Sequence, residues 1–534
     1  MPSLAALNAY ARFAAGLPRT LRTRIDAVEA DGIVRDRLAR RAEMLVELVE
    51  RRIYAVPGSP YRELLHLVGC ELGDLRRLVA AEGVEGALGA LRDEGVYVTF
   101  EEFKGRVPIV RGGLEISTGP RAFDNPVSRR YWHGATSGST GRSTRIALDL
   151  EHLAASVPSS VLALATHGAL DLPAAVWRTI LPGLAGISNV LHGALRRQPI
   201  ERWFSPLARA DLRPSLKNRL ATEWILAVGR LSGARLPRPE LVPLDRAGAV
   251  ARWIGDALGR RGGCTLHAHV SCLLRSAQAA SELGIDLSGA IFWGGGEPPT
   301  PAKIEPIRAA GARYVPTYFL SEAGAIGYGC RAPADATDVH VVEDSIAVIQ
   351  QDVAVPASER VVPAFCLTTL LPTSPKLLFN VESDDYGILE ERDCGCPLAK
   401  LGYRRHIRQV RSYRKLTGEG MSLVGSDMVR VLEQVLPAAF GGTPLDYQLV
   451  EAEDGAGFTR LALRVHPRIE LPDDRAVVET LLAELGRGDD AAELARAVWR
   501  QAKTLGVWRE PPCFTALGKF MPLVRADAGA RAER

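Results

Sequence analysis

The sequence predicts an α/β protein: a large body of βαβ units behind a helical N-terminal region, followed by a small α+β domain. Three observations carry this. Between about residues 130 and 380, short apolar runs alternate with helical ones: AAVWRTILPGL, CTLHAHVSCLLRSAQAASELGI, GAIFWGGGEPP, ARYVPTYFL and VPAFCLTTLL. Strands separated by helices make parallel sheets. Before about residue 110, apolar residues recur at spacings of three and four, the period of a helix face. Past residue 410 the pattern mixes again, and 534 residues exceed what one core usually serves.

In order along the chain, RLARRAEMLVELVERRIYA and LVAAEGVEGALGALRDEG read as helices, and SPYRELLHLVG starts with a cap at Ser59 and a proline just inside. HVVEDSIAVI reads as a strand. In the tail, SDMVRVLEQVLPAAF and DDRAVVETLLAELG read as helices, DYQLVEAED and TRLALRVHP as strands. The expected division is 1–110 helical region packed on the body, 111–410 main domain and 411–534 mobile C-terminal domain.

Composition narrows the classes. Hydrophobic content is 47%, charged content 24% and net charge +4, which leaves no broad footprint for nucleic acid. The exception is the basic run RRHIRQVRSYRK (Arg404 to Lys415), and such a run is most often a solvated face. No window approaches a membrane span, and Arg12 interrupts an N-terminus that lacks the order of a signal peptide. The expected location is cytoplasmic. Eight cysteines are too sparse for a disulfide scaffold.

Residues 133 to 145, HGATSGSTGRSTR, pose the first functional question. The stretch is either a surface turn or a loop that holds phosphate, because glycine turns expose backbone N–H groups and small hydroxyls add donors. It is not a Walker loop: Gly141 is followed by Arg142, and Thr136 stands five positions before it. Downstream, IFWGGGEPP is an apolar strand ending in three glycines and an acid. RYVPTYFLSEAGAIG is another strand, ending in Tyr318, Ser321, Glu322 and Gly324. Two such strand ends suggest a cleft at the carboxyl edge of a parallel sheet, where ligands bind. An aromatic there can stack on a base, and a carboxylate can hold a divalent metal.

With those residues in view, the chain resembles the adenylate-forming superfamily (acyl-CoA synthetases, luciferases, adenylation domains), and most of all its phenylacetate-CoA ligase branch. TSGSTGRST resembles the phosphate loop and GGGEPPTP the adenine-side loop. YFLSE matches Tyr-x-x-Thr/Ser-Glu, SDDYG resembles the ribose-binding Thr-Gly-Asp motif, and FTALGKFMPL resembles the C-terminal Gly-Lys motif. The five stand in the superfamily's order from residue 136 to 523. Thr144 stands where much of the superfamily has lysine; the phenylacetate branch tends to carry threonine there, which leaves Arg145 as the nearby cation.

The resemblance implies ATP-dependent joining of a carboxylate to the α-phosphate, giving an acyl-adenylate and pyrophosphate, then transfer to an acceptor. Such chemistry asks the protein for positioning and charge stabilisation. Thr136, Ser137, Gly138, Ser139, Thr140 and Gly141 would cradle the β- and γ-phosphates. Tyr318 would stack on adenine, in a pocket shaped by Gly295, Gly296 and Glu297. Glu322 would ligate Mg²⁺, and Ser321 would lie at the α-phosphate. Asp385 would accept from both ribose hydroxyls, although its neighbour Asp384 offers the same carboxylate. Arg411 matches the arginine that follows the ribose aspartate, and Lys519 would reach the reacting oxygens. The C-terminal domain would swing near Arg411 to Arg414, where Tyr413-Arg414 replaces the usual hinge acid, and would alternate Lys519 with the loop Thr417 to Ser422.

Cys330, His340, Cys394 and Cys396 make a three-thiolate, one-imidazole set that suits a structural zinc, in a spacing that is no standard finger. The branch can show a comparable arrangement. The alternative is reduced, partly buried cysteines without metal. The acyl pocket is expected among His267, His269, Val270, Trp293, Ala323 and Gly324, which suggests an aromatic or otherwise apolar acid. Coenzyme A is the branch's commonest acceptor; the alternatives are an amine, giving an amide, or activation of an unusual acid in specialised metabolism. The partners are therefore small molecules, and the chain acts as a monomer or homodimer. A non-catalytic nucleotide binder would need neither Glu322 nor Lys519.

Overall fold

The structure is a computed structural model that describes residues 4–119, 121–128, 131–135, 138–139, 145–196, 198, 200–207, 216–297, 299–354, 361–412, 415–418, 421–424, 430–454, 458–485, 490–513 and 523–525. Its centre is one sheet. The strands are β1 (Ala174–Trp177), β2 (Ile200–Ser205), β3 (Pro239–Leu241), β4 (Cys264–Ala268), β5 (Ala290–Gly294), β6 (Arg313–Leu320), β7 (Gly324–Gly329), β8 (Val339–Val341), β9 (Ile346–Ala354), β10 (Val361–Thr369), β11 (Val381–Glu391) and β12 (Arg405–Ser412). Their spatial order is β9-β10-β11-β12-β8-β7-β6-β5-β4-β1-β2-β3.

The sheet changes character at one strand. From β3 to β6 every pairing is parallel, and a helix fills each connection between sequence neighbours in that half, for example Val270–Glu282 between β4 and β5. β1, β4 and β5 are buried along their whole length, as strands covered on both faces must be. From β6 to β9 every pairing is antiparallel. β6 does both: Arg313 to Pro316 pair with β5, and Thr317 to Leu320 with β7. The switch leaves the carboxyl ends of β1, β4, β5 and β6 opening onto one cavity.

The N-terminal helices cover both halves. Phe13, Leu17 and Leu21, from the helix Leu4–Thr20 and the turn after it, join the core under the parallel strands. Leu45, Leu64 and Leu88 join the core under the antiparallel ones. The helix expected after Ser59 runs Pro60–Leu67, with Ser59 extended at its cap but making no side-chain cap bond.

The basic run is not a free surface. Most of it is β12, where Arg408 pairs with Glu390 at 3.0 Å and Asp335 at 2.9 Å, and Arg405 with Glu85 at 3.6 Å. The small C-terminal sheet orders Leu505–Trp508, Thr459–Val465, Tyr447–Glu453 and Leu523–Arg525, with helices Asp474–Leu485 and Asp490–Ala502. Lys303 Nζ donates to Thr459 Oγ1 at 2.8 Å, and the Arg275 guanidinium lies 4.2 Å over the Phe458 ring. These contacts tie that sheet to the body. Among the described residues, no helix is long and apolar enough to cross a membrane.

Candidate active site

The cavity at the switch point measures about 500 Å³ and is lined by Gly295, Gly296, Glu297, Tyr318, Ser321, Glu322, Gly324, Asp385, Arg411, His267, His269 and Trp293. Residues from β4, β5, β6, β11 and β12 thus meet in one space, although up to 144 positions separate them (Arg411 minus His267).

Its glycines are sterically required. A Cβ on Gly295 would stand 2.4 Å from Thr317 Oγ1, and Gly296 has φ +83° with a Cβ position 2.9 Å from the His269 ring. The strand can therefore turn against β6 only where no side chain intervenes. Gly324, with φ +84°, opens β7 at the same edge.

The acids are all engaged. Tyr318 donates its hydroxyl to Asp385 Oδ2 at 2.9 Å, and the Ser412 hydroxyl donates to Oδ1. Register explains this: β11 and β12 set Asp385 opposite Ser412. Burial, then the Asp385 charge, pushes the Tyr318 phenol well above its ordinary range, so it stays a donor. Asp385 rather than Asp384 lines the cavity. Asp384 is fully buried and has φ +62°. Glu297 is held inside by Ser271 Oγ at 2.6 Å and Lys303 Nζ at 3.3 Å. Glu322 accepts from Lys104 Nζ at 2.5 Å. Lys104 comes from the end of the N-terminal region, just after the short helix Phe100–Phe103, and no motif pointed to it.

Two expected lining residues are elsewhere. Val270 follows His269 but begins a helix, and its fully buried side chain belongs to the core beneath the parallel strands. Ala323 packs into the core of the antiparallel half. Neither lines the cavity.

The inner end of the cavity is built by two helices. Leu150–Thr166 contributes His152, Ser156 and Ser160, four residues apart; Leu184–Leu195 and its cap contribute Ser188, His192 and Arg196 at the same spacing. That periodicity was readable as two polar stripes. His192 Nε2 lies 3.0 Å from Ser156 Oγ. The His267 ring stacks on Trp293 at 5.8 Å and 14°. Burial pushes both His267 and His269 well below the ordinary histidine range, with Arg196 and Arg178 adding to the effect on His267 and Arg178 alone on His269. Both are therefore neutral. Polar groups thus gather at the inner end of a cavity whose walls are otherwise largely apolar.

Of the glycine-serine loop, Thr136, Ser137, Thr140 and Gly141 lie outside the described residues, as do Lys519, Tyr413 and Arg414. Gly138 and Ser139 form a short strand that pairs in parallel with Met421–Val424, Gly138 opposite Ser422 and Ser139 opposite Leu423. The paired strands Lys415–Gly418 and Met421–Val424, which hold Thr417, Gly418, Met421 and Ser422 of the TGEGMS segment, are thereby joined to Gly138 and Ser139 through the backbone.

On the far side of β7, Cys330, His340, Cys394 and Cys396 place their ligand atoms within 4.8 Å of one another. Cys330 follows β7, His340 sits in β8, and the two others flank the turn at Gly395 (φ +69°) between β11 and β12. Cys330 Sγ is 3.5 Å from Cys394 Sγ, and His340 Nε2 is 3.1 Å from Cys396 Sγ. A zinc tetrahedron with Zn–S near 2.3 Å needs ligand atoms about 3.7 Å apart. His340 Nδ1 lies 2.8 Å from the Tyr403 carbonyl, which turns Nε2 toward the sulfurs. The donor set therefore fits zinc, with no open position for catalysis.

No family model matches the chain, and no curated protein matches it in sequence. Among solved structures it is similar to 2-hydroxyisobutyryl-CoA ligase in complex with 2-HIB-AMP and CoA in the thioesterification state. The TM-score is 0.54 at 15% identity, covering 94% of this chain and 91% of that one. It is also similar to that ligase in the postadenylation state with 2-HIB-AMP (TM-score 0.43, 14% identity, 95% and 91% covered). A third is an acyl-CoA synthetase (AMP-forming)/AMP-acid ligase II-like protein from Dyadobacter fermentans (TM-score 0.27, 14% identity, 73% and 87% covered). The mixed twelve-stranded sheet, its helices and the separate C-terminal sheet make this the fold of the adenylate-forming enzymes.

Proposed function

We propose that the protein activates a carboxylic acid with ATP, releasing pyrophosphate and forming an acyl-adenylate, and then transfers the acyl group to coenzyme A. The observation that carries this is convergence. Gly295, Gly296, Tyr318, Ser321, Glu322, Asp385 and Arg411, drawn from three separate motifs and one following arginine, line a single cavity. A fold alone would not ask for that. The solved ligase with 2-HIB-AMP and CoA bound supports the same reaction order.

In this reading Asp385 exchanges its Tyr318 and Ser412 partners for the ribose hydroxyls. Tyr318 stays beside the base. Ser321 lies at the α-phosphate, and the loop from Thr136 to Gly141 holds the terminal phosphates. Glu322 would hold Mg²⁺ together with phosphate oxygens, an arrangement that needs only one or two protein carboxylates. When bound, that ion neutralises phosphate charge. Lys519 supplies positive charge where oxyanion charge develops. Residues 1–110, 111–410 and 411–534 act as helical cover, adenylation domain and mobile domain. Cys330, His340, Cys394 and Cys396 hold a structural zinc; with Thr144 they support the phenylacetate-CoA ligase-like branch.

The test is pyrophosphate release on mixing protein, ATP, Mg²⁺ and a carboxylate panel, followed by CoA or amines and mass spectrometry of products. An acyl-CoA is expected. An amide would move the acceptor to amines, and no acid-dependent pyrophosphate would reject the reading.

A further inference from the structure

The inner end of the cavity holds a buried cation with no counter-charge among the described residues. Arg196 is 7% exposed, at the end of the helix Leu184–Leu195. Its Nε and Nη2 have no hydrogen-bond partner, and no described acidic side chain forms an ion pair with it. The cavity's half-buried Arg178 is better met: it donates to the Ala268 carbonyl at 2.8 Å and lies 2.7 Å from His269 Nδ1, leaving its Nε without a partner among the described residues. Around Arg196 stand more unpartnered groups, His152 Nδ1, His267 Nε2 and Trp293 Nε1, all on residues that line the cavity. The Tyr328 phenol acts on Arg196 electrostatically, but burial pushes it up to about 12, so it carries no charge at neutral pH. Burial lowers Arg196 to about 10, which still leaves it charged at neutral pH.

A buried charge is stable only when paired, and a buried unmade hydrogen bond is costly. Several such groups around one cavity indicate that the missing partner is a ligand. A plain apolar acid would leave every one of them unsatisfied. We propose that the acid activated here carries a second anionic group, such as a distal carboxylate, and that Arg196 is its counter-charge, with His267 and Trp293 lining the same end. The inference rests on the ligase reading for the fate of the first carboxylate. It does not rest on it for binding of the second.

The experiment uses two readouts. Isothermal calorimetry without ATP compares straight-chain and aromatic diacids with monoacids of equal length and with the diacids' monomethyl esters. Pyrophosphate release compares the same compounds in turnover. Diacids are expected to bind and react about 10- to 100-fold better, the range for a hydrogen bond to a charged group. Arg196→Gln should reduce that ratio to within about twofold, and Arg196→Lys should keep part of it. Nucleotide binding by the variants reports on folding. If Arg196→Gln does not fold, the ester-against-diacid ratio of the natural protein decides.

Diacid binding without turnover would uphold this inference and overturn the ligase reading. Turnover in which monoacids or half-esters do as well as diacids would do the reverse. A panel in which no diacid binds at millimolar concentration also overturns it.

Discussion

The two ends of the cavity are built on opposite principles. At the proposed nucleotide end each of three carboxylates already has a partner from the protein: Asp385 has Tyr318 and Ser412, Glu322 has Lys104, and Glu297 has Ser271 and Lys303. At the inner end Arg196, His152, His267 and Trp293 each leave a donor or acceptor unmade. A site for a common ligand can rest with internal stand-ins that the ligand displaces. A site whose polar groups wait for one substrate is specific, because the wrong substrate leaves them unpaired.

Breaking the nucleotide end should have the largest effects. Lys519→Ala should lower adenylation by roughly 100- to 1,000-fold, about 2.7–4 kcal/mol, with ATP affinity nearly intact. Single-turnover pyrophosphate release measures it, and a rate like that of the natural protein would remove Lys519 from the reaction. Asp385→Ala should act on binding instead. It removes both acceptor oxygens and strands the Tyr318 and Ser412 hydroxyls. ATP affinity should fall roughly 10- to 150-fold, as for bonds to a charged group, while Tyr318→Phe, which keeps the ring and removes only a hydroxyl that Asp385 gives up on binding, should leave it within about fivefold. Equal losses from the two would mean that the Tyr318 hydroxyl stays on Asp385 while the nucleotide is bound.

The proposed metal centre sharpens the comparison from outside the cavity. Purified protein should carry about one zinc per chain, with a closed four-ligand set. Cys394→Ser should lose it and lower the unfolding midpoint by several degrees, yet leave the diacid-to-monoacid ratio unchanged. The cluster lies in a separate small core with Val34, Leu398 and Tyr403. Metal-free protein from a chelator-free preparation would sink the assignment, and an altered ratio would show that the centre shapes the substrate end.

The same division explains what was legible in the sequence. The proposed nucleotide end uses glycines, one aromatic and carboxylates at strand ends, a pattern that survives without knowing the substrate. The Cys/His set was also readable as a donor set, although its members lie up to 66 residues apart (Cys396 minus Cys330) and only strand pairing unites them. The inner end was not legible. His152, Ser156 and Ser160, like Ser188, His192 and Arg196, read as ordinary polar stripes of amphipathic helices, and which way each stripe faces is a tertiary fact. Val270 failed for a local reason: at a strand-to-helix junction the side chain after His269 turns into the core.

Lys104 was equally hidden, 218 residues from Glu322, and it supplies the smallest predicted effect. Its ammonium and the Glu322 carboxylate are both largely buried, 12% and 17% exposed. The pair therefore keeps more strength than a surface ion pair, but Lys104 occupies an oxygen that Mg²⁺ would need. If Glu322 is the metal ligand, Lys104 competes with the ion. Lys104→Met keeps an unbranched apolar side chain, gives up the ammonium's contacts over the Phe100 and Phe103 rings and removes the competitor. The Mg²⁺ concentration for half-maximal adenylation should then fall about fivefold, close to 1 kcal/mol. Glu322→Gln should raise it in the same assay. A higher Mg²⁺ requirement in Lys104→Met would reverse the assignment: Lys104 would be a phosphate-binding cation, and the N-terminal region would be part of the nucleotide site rather than its cover.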